Sequence, residues 1–284
     1  MPIFAIILLV TGAFLHTAWN LLLKQSGEKY IATWWLVTIG GAASLIALFF
    51  TGLPPREIWI FAFFSILAET LYFLTLSYAY RENDFSLIYP IARGAAPAFL
   101  ALWSYLFLRE RLTHGGLIGL GLIIGGLVVI GASALLRGGL NKVHFRGVAA
   151  ALLLALLIST YTAIDGAAVK HGLVLSYALL VFALVPVPVT PFVFRQYGWA
   201  RLKEAWNAQP VQLSMAGLLG IVAYLFALAA YSIAPLSYSG AIREVSVVIG
   251  AFAGWQFLGE KMGGLRVIGA AVIFAGIMMI ALYG

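Results

Sequence analysis

The chain has 284 residues, of which 63% are apolar and 10% are charged, and its formal net charge is +7. Soluble domains carry about 25% charged residues, so this composition excludes a soluble globular protein. A membrane-spanning helix takes about 20 apolar residues, so nearly the whole chain is expected to lie in a bilayer. The basic residues are scattered singly and form no stripe, so no nucleic-acid partner is predicted.

Hydropathy divides the chain into ten apolar segments separated by polar residues, glycine or proline. In chain order they are 3–23, 31–51, 57–79, 85–107, 116–136, 146–168, 174–194, 211–232, 236–258 and 263–283. All are predicted to be helices, because a helix satisfies its own backbone groups in lipid. The connections are mostly short, so sequential helices are expected to be neighbours.

One longer connection, residues 195–210, has a pattern of its own. Trp199, Leu202 and Trp206 recur there at the spacing of one helix face, and the charged residues between them fall elsewhere. This pattern predicts a short helix that lies in the membrane interface.

The basic residues outside the segments are distributed unevenly between the two sides of the membrane. The side of the termini has Arg56, Arg109, Arg111 and Lys170. The other side has Lys24, Lys29, Arg81, Arg137, Lys142, Arg146, Arg195, Arg201, Lys203, Lys261 and Arg266. Cytoplasmic loops are rich in Lys and Arg. The termini are therefore predicted to lie outside a multi-pass protein of the inner (plasma) membrane, with the loop 137–146 in the cytoplasm.

The two halves of the chain resemble each other. With a shift of 150 residues, Arg93 aligns with Arg243 and Glu110 aligns with Glu260, followed by matching glycine-rich segments. Such self-similarity indicates a duplicated unit.

The duplication predicts the domain organisation. The first five-helix repeat is residues 1–138, the central loop is 139–145, and the second five-helix repeat is 146–284. Because five crossings is an odd number, the second repeat is expected to be inverted. The predicted fold is thus an all-α membrane protein with ten transmembrane helices in two inverted repeats. In many secondary transporters of this kind the solute site lies near the midplane between the repeats.

The paired stretches LFLRERLTHGGLIGLGLIIGGLVVIG and QFLGEKMGGLRVIGAAVIFAGIMMI resemble the EamA-type repeats of the drug/metabolite transporter superfamily. In those repeats an acidic loop precedes a glycine-rich last helix. The resemblance covers essentially the whole chain. It implies a ten-helix fold and the efflux or exchange of metabolites, without identifying the solute.

Ionisable side chains within the segments mark candidate functional positions, because each costs about 2.5 to 3.5 kcal/mol to insert. They are His16, Glu69, Arg93, Asp165, Arg243 and Glu244.

Arg93 lies between Pro90 and Pro97, and Pro97 cannot donate a hydrogen bond to the carbonyl of Arg93. A kinked, partly open helix is expected there. Arg243 has the related place in the second repeat. A guanidinium is matched to the oxygens of a carboxylate or phosphonate, so one or both arginines are predicted to hold an anionic group of the solute. The alternative is a buried ion pair with Glu69 or Glu244.

Glu69 lies near the centre of the third segment, with Tyr72 on the same side. Desolvation at this depth favours the neutral carboxyl, which would let Glu69 exchange protons near neutral pH. A permanent pair with an arginine is the alternative. His16, Asp165 and Glu244 are the other candidates for proton coupling.

Two polar pairs one helical turn apart, His16 with Asn20 and Tyr161 with Asp165, occupy related positions of the repeats. They are expected to face the central cavity. Asn20, Tyr161, Trp19 and Tyr72 are predicted to bind the solute or line its cavity. Hydrogen bonding between helices is the alternative, and Asp165 could simply reach the interface.

Glycines, acids at helix boundaries and prolines give further predictions about how the helices pack and end. Gly119 and Gly126 recur seven residues apart, as do Gly269 and Gly276, which predicts a helix-packing surface. Glu110 and Glu260 are interpreted as loop acids at helix boundaries. The prolines near the end of the seventh segment predict a kink, a gate or a helix end.

The function predicted is secondary transport, by alternating access, of a small anionic or zwitterionic metabolite such as an amino acid, with protons as a potential coupling ion. The alternatives are a flippase for a lipid-linked substrate and a non-transporting assembly subunit. No enzyme activity, cofactor or metal site is predicted, because metal-ligand and nucleophile motifs are absent from the sequence. The partners expected are the solute and the bilayer, for a monomer or a homodimer.

Overall fold

A computed structural model of the chain describes residues 1–24, 28–82, 85–138, 145–258 and 264–284. These residues form twelve α-helices, no strand, and a 3₁₀ turn at Arg56–Ile58. The helices are α1 (Ile3–Lys24), α2 (Lys29–Thr51), α3 (Trp59–Glu82), α4 (Phe85–Phe107), α5 (His114–Gly138), α6 (Phe145–Val169), α7 (Val174–Leu184), α8 (Pro186–Ala208), α9 (Pro210–Ile233), α10 (Leu236–Arg243), α11 (Val245–Leu258) and α12 (Gly264–Tyr283).

Eight stretches of the described residues are long and apolar enough to span a bilayer. They lie in α1, α2, α3, α5, α6, the joined α7 and α8, α9, and α12. Helix α4 contains a shorter apolar stretch, Ile91–Phe107. The prediction of an all-helical, multi-pass membrane protein is therefore confirmed. The predicted central loop, residues 139–145, lies outside the described residues except for Phe145, which begins α6.

The seventh and ninth predicted segments are each divided into two helices. Helix α7 ends at Leu184, just before Pro186, whose ring nitrogen cannot donate a backbone hydrogen bond. Helix α10 ends at Arg243, and Glu244 separates it from α11 with φ −68° and ψ −5°. By contrast, α4 is continuous through Arg93. The expectation of an open helix at Arg93 is wrong, because the loss of one N–H donor leaves the neighbouring helical hydrogen bonds in place.

Helix α8 changes direction at Gly198, which has φ 72° and ψ 160°, a left-handed conformation that favours glycine. The part after Gly198 is the short helix predicted for residues 195–210. Its Leu202 is fully buried, and the Trp35 indole N–H donates to the Leu202 carbonyl oxygen over 2.9 Å. Trp199, predicted to share the apolar face, is instead exposed and stacks on Phe194.

The main helix interfaces join elements that are far apart in the chain. Helix α5 packs along α12, α1 along α9, α6 along α3 and α4, and α2 along α9 and α7. Helices α4 and α5 contact each other closely, but α1 with α2 and α3 with α4 barely do. Sequential helices are therefore mostly not the principal neighbours, because a short loop joins two helix ends without burying their faces against each other.

The glycine surface joins α5 to α12. A Cβ atom added to Gly126 would lie 2.6 Å from the carbonyl oxygen of Gly269, and one added to Gly119 would lie 2.7 Å from that of Gly276. The helix-packing role predicted for these glycines is what the structure shows. Because the earlier residue of α5 meets the later residue of α12, the two helices run antiparallel.

The two ends of the chain lie side by side. The amino group of Met1 donates a hydrogen bond to the carbonyl oxygen of Gly284 over 2.8 Å. An even number of membrane crossings between these two residues is consistent with that contact.

Candidate solute-binding site

Asp165 on α6 lies at the centre of a buried group of polar side chains. Its side chain is inaccessible to solvent, and its Oδ1 accepts hydrogen bonds from Ser65 Oγ (2.6 Å) and the Tyr177 hydroxyl (2.7 Å). Its Oδ2 accepts one from the Tyr224 hydroxyl (2.8 Å). These donors lie on α3, α7 and α9. Asp165 therefore joins four helices inside the protein.

Glu69 lies one helical turn after Ser65 on α3 and is partly buried. Asp165 and Arg243 are the charged groups that act on its carboxyl. Within the described part of the chain, Glu69 has no hydrogen bond and no ion pair. The permanent arginine partner considered as an alternative for Glu69 is thus not seen among the described residues.

Arg93 on α4 reaches the break between α10 and α11. Its Nε lies 2.9 Å from Glu244 Oε2, and its Nη2 donates to Ser246 Oγ over 2.9 Å. Both charged side chains are almost fully buried, with 11% and 2% of their surface accessible. The structure therefore contains the buried ion pair with Glu244 that was one of the alternatives for Arg93.

Arg243 lies beside that ion pair but faces other groups. Tyr231, Tyr161 and Glu244 are the groups that act on its charge. The Tyr161 ring in turn packs edge-on against Tyr72, with centroids 6.2 Å apart. Two predicted solute-binding tyrosines and one predicted anchor thus come together between α3, α6 and α10.

A small cavity lies next to Arg243 and Glu244 and is also lined by Ser159 and Thr162. Its volume is about 10 Å³, enough for one water molecule at most. The Thr162 hydroxyl lacks a hydrogen-bond partner among the described residues. Binding of a metabolite at this point therefore requires the helices to move apart.

The predicted residues of α1 lie beside this cluster. The His16 ring packs edge-on against Trp19, with centroids 4.6 Å apart, and the charges of Arg93 and Arg243 both act on His16. Asn20 is exposed and its amide donates to the His16 carbonyl oxygen over 2.7 Å. Asn20 is thus turned towards its own helix, whereas His16 lies close enough to Arg93 and Arg243 for their charges to act on it.

Glu110 does more than end a helix. Its carboxylate accepts hydrogen bonds from the backbone N–H of Leu236 and of Ser237 and from the Ser237 hydroxyl, so it caps the N-terminus of α10. Nearby, Lys170 Nζ donates to the Ala234 carbonyl oxygen over 2.8 Å. Partial burial lowers the pKa of Lys170, and Glu110 opposes that shift. These contacts join the three loops that contain Glu110, Lys170 and Ala234, on the side where the two ends of the chain lie. Glu260, the related acid, lies outside the described residues.

Sequence reasoning missed the hydroxyl groups that complete the cluster. Ser65, Tyr177, Tyr224, Tyr231 and Ser246 each interact with a predicted charged residue. Each of these hydroxyl groups lies within an apolar segment, where an unpaired polar group is costly. That position could have identified them from the sequence. As for metals, the described residues contain no group of three or more potential ligands.

Comparisons with known proteins agree with this architecture. A solved structure, described only as "Crystal structure of protein", superposes with a TM-score of 0.77 over 98% of this chain and 97% of its own, at 17% identity. At that identity the likeness shows the fold alone. No curated protein matches the chain. The model of the EamA-like transporter family matches twice, at residues 3–132 and 145–282. The chain therefore belongs to the EamA-like transporter family, and is a membrane transporter of the drug/metabolite transporter superfamily.

Proposed function

We propose that the protein is a proton-coupled secondary transporter that exports or exchanges a small zwitterionic metabolite, such as an amino acid, across the inner membrane. The observation that carries this proposal is the cluster of buried and partly buried charged residues Glu69, Asp165, Arg93, Arg243 and Glu244. Ionisable groups at this depth are costly and are retained where they bind solutes or relay protons.

The proposed architecture is ten crossings in two inverted repeats. The antiparallel contact of α5 with α12 supports it, because these are the matching last helices of the two halves. The same packing also occurs twice, with the halves exchanged. Helix α1 packs on α9, and α6 and α3, the counterparts of α1 and α9, pack on each other. This is the pattern expected of a pseudo-twofold axis in the membrane plane. The distribution of basic residues supports termini outside the cell.

The charges of the cluster support proton coupling. If all five side chains were ionised, two positive charges would face three negative charges. A net charge in a low-dielectric interior is unfavourable, so neutrality requires one proton. Glu69 is the proposed carrier, because its carboxyl has no hydrogen bond or ion pair among the described residues, whereas Asp165 and Glu244 are engaged.

The same charges favour a zwitterionic solute. Arg243 is proposed as the anchor of the solute carboxylate, since Arg93 is already paired with Glu244. An ammonium group would replace the proton at Glu69. His16, Trp19, Tyr72 and Tyr161 would form the walls of the opened cavity.

Alternating access would use the break at Glu244. Helices α10 and α11 meet there, beside α4 and α1, so rotation of α10 about this point would open the space next to Arg243. Because the two repeats are alike, the state open to the opposite side would have nearly equal energy.

The test is transport by the full-length protein in liposomes. Solutes are first selected from zwitterionic and anionic metabolites by thermal shift, and flux is then measured with and without a pH gradient. We expect Arg243→Gln to raise the KM for the solute and Glu69→Gln to abolish the dependence on the gradient. Matched controls are Arg195→Gln and Glu57→Gln, which change exposed residues.

Normal flux of the selected solute by Arg243→Gln would refute the anchor role, and full gradient dependence in Glu69→Gln would refute the coupling role. If the wild-type protein moves none of the solutes that stabilise it, the transport proposal itself fails.

A further inference from the structure

A second cavity lies away from the charged cluster, between α2 and the last part of α8. Its volume is about 380 Å³, and it is lined by Trp35, Trp199, Lys203, Trp206 and Asn207. That volume is within the range of small-molecule sites, which is about 300 to 1,000 Å³.

The inner wall of this cavity is fixed by packing. Leu202 is fully buried, and the Trp35 indole N–H donates to its carbonyl oxygen over 2.9 Å. The rings of Trp35 and Trp206 lie with their centroids 4.8 Å apart. Because the chain changes direction at Gly198, just before this helix, the backbone itself sets the position of the cavity.

The residues that line the cavity carry hydrogen-bond donors that the rest of the described chain leaves unused. The Lys203 ammonium, the Asn207 amide and the indole N–H groups of Trp199 and Trp206 have no hydrogen bond or ion pair with any other described residue. The nearest acid on this helix, Glu204, pairs instead with Arg201 at 4.0 Å. Such a set of donors around one cation fits an anion rich in acceptor oxygens, above all a phosphate group.

We propose that this cavity binds the headgroup of an anionic phospholipid. Lys203 would pair with the phosphate, the two free indole N–H groups and Asn207 would donate to its oxygens, and the acyl chains would lie along the exposed apolar side chains of Phe192 and Phe194. Tryptophan and lysine are the residues that anchor proteins at the level of the headgroups.

The bound lipid would hold the last part of α8 against α2, so it would stabilise the folded protein by mass action. The test uses the full-length protein in neutral detergent micelles, titrated with phosphatidylglycerol or with phosphatidylcholine of the same acyl chains. The unfolding temperature is measured at each step, and native mass spectrometry counts the bound lipids. We expect phosphatidylglycerol to raise the unfolding temperature saturably and phosphatidylcholine to leave it unchanged.

The matched variants are Lys203→Ala and Arg201→Ala, which remove one positive charge each from the same helix. Only Lys203 lines the cavity. Loss of one lysine contact is expected to require about fivefold more phosphatidylglycerol for the same effect. Arg201→Ala is expected to keep the wild-type midpoint. Trp199→Phe, which keeps an aromatic ring but loses the N–H donor, is expected to weaken binding as well.

Three results would overturn the proposal. The first is an equal response of Lys203→Ala and Arg201→Ala, which would indicate general charge attraction. The second is equal stabilisation by the two lipids. The third is a Lys203-dependent shift of the same size with inorganic phosphate or glycerol 3-phosphate alone, which would assign the cavity to a soluble phosphate compound.

Discussion

Arg93 and Glu244 form a buried ion pair, with Nε and Oε2 2.9 Å apart, that joins α4 to the break between α10 and α11. The two residues come from different halves of the chain. Their contact thus links the halves at the point where one helix is interrupted.

Removing one partner of this pair is expected to be strongly destabilising. Glu244→Gln leaves the Arg93 charge buried without its counter-ion, at a cost of about 3 to 5 kcal/mol. The double variant Arg93→Gln with Glu244→Gln should recover part of that loss. The measurement is the free energy of unfolding in detergent. Glu204→Gln, in an exposed pair with Arg201, is the control and should change little. Equal effects of Glu204→Gln and Glu244→Gln would contradict the prediction.

The glycine surface gives a prediction about packing. Gly126→Ala places a Cβ atom 2.6 Å from the Gly269 carbonyl oxygen, so α5 and α12 must separate, at a cost of about 1 to 3 kcal/mol. Gly121 lies on the same helix with nothing within 4 Å of its added Cβ atom. Gly121→Ala should therefore stabilise the helix slightly. Unfolding temperatures of the two variants test this, and the same sign of shift in both would count against the interface.

The hydroxyl groups around Asp165 give a third prediction. Tyr224→Phe and Tyr177→Phe each remove one donor to a buried carboxylate, and each is expected to cost about 1.5 to 3 kcal/mol. Tyr105→Phe is the matched control, because Tyr105 is exposed. Chemical unfolding in detergent measures the three variants. A cost for Tyr105→Phe as large as that for Tyr224→Phe would show that Asp165 has no special need of its donors.

Glu110 gives a prediction about opening on the side of the termini. Glu110→Gln weakens the cap on α10, so the loop that holds Ala234 should become more accessible. The chain has no cysteine, so Ala234→Cys supplies a unique labelling site at a buried position. Its reaction with a maleimide should be several-fold faster in the Glu110→Gln background. Glu57→Gln on the same side is the control, and an unchanged labelling rate would show that Glu110 does not hold this side closed.

The amino-acid sequence alone determined the class of the protein and its duplicated pattern. Its low charge and long apolar segments leave the bilayer as the only suitable solvent, and the recurrence of Gly119 and Gly126 in Gly269 and Gly276 marks a packing face. These signals are local, since they depend on the composition and spacing of residues within one helix.

Only the tertiary structure decided which polar groups meet. Arg93 had two acids as possible partners, and packing between the halves selected Glu244. Asp165 received Ser65, Tyr177 and Tyr224 from three other helices. The helix break also lies after Arg243 and not at Pro97. In each case the outcome depends on the rotation and the neighbours of whole helices, which are set by the burial of complete faces and cannot be read along the chain.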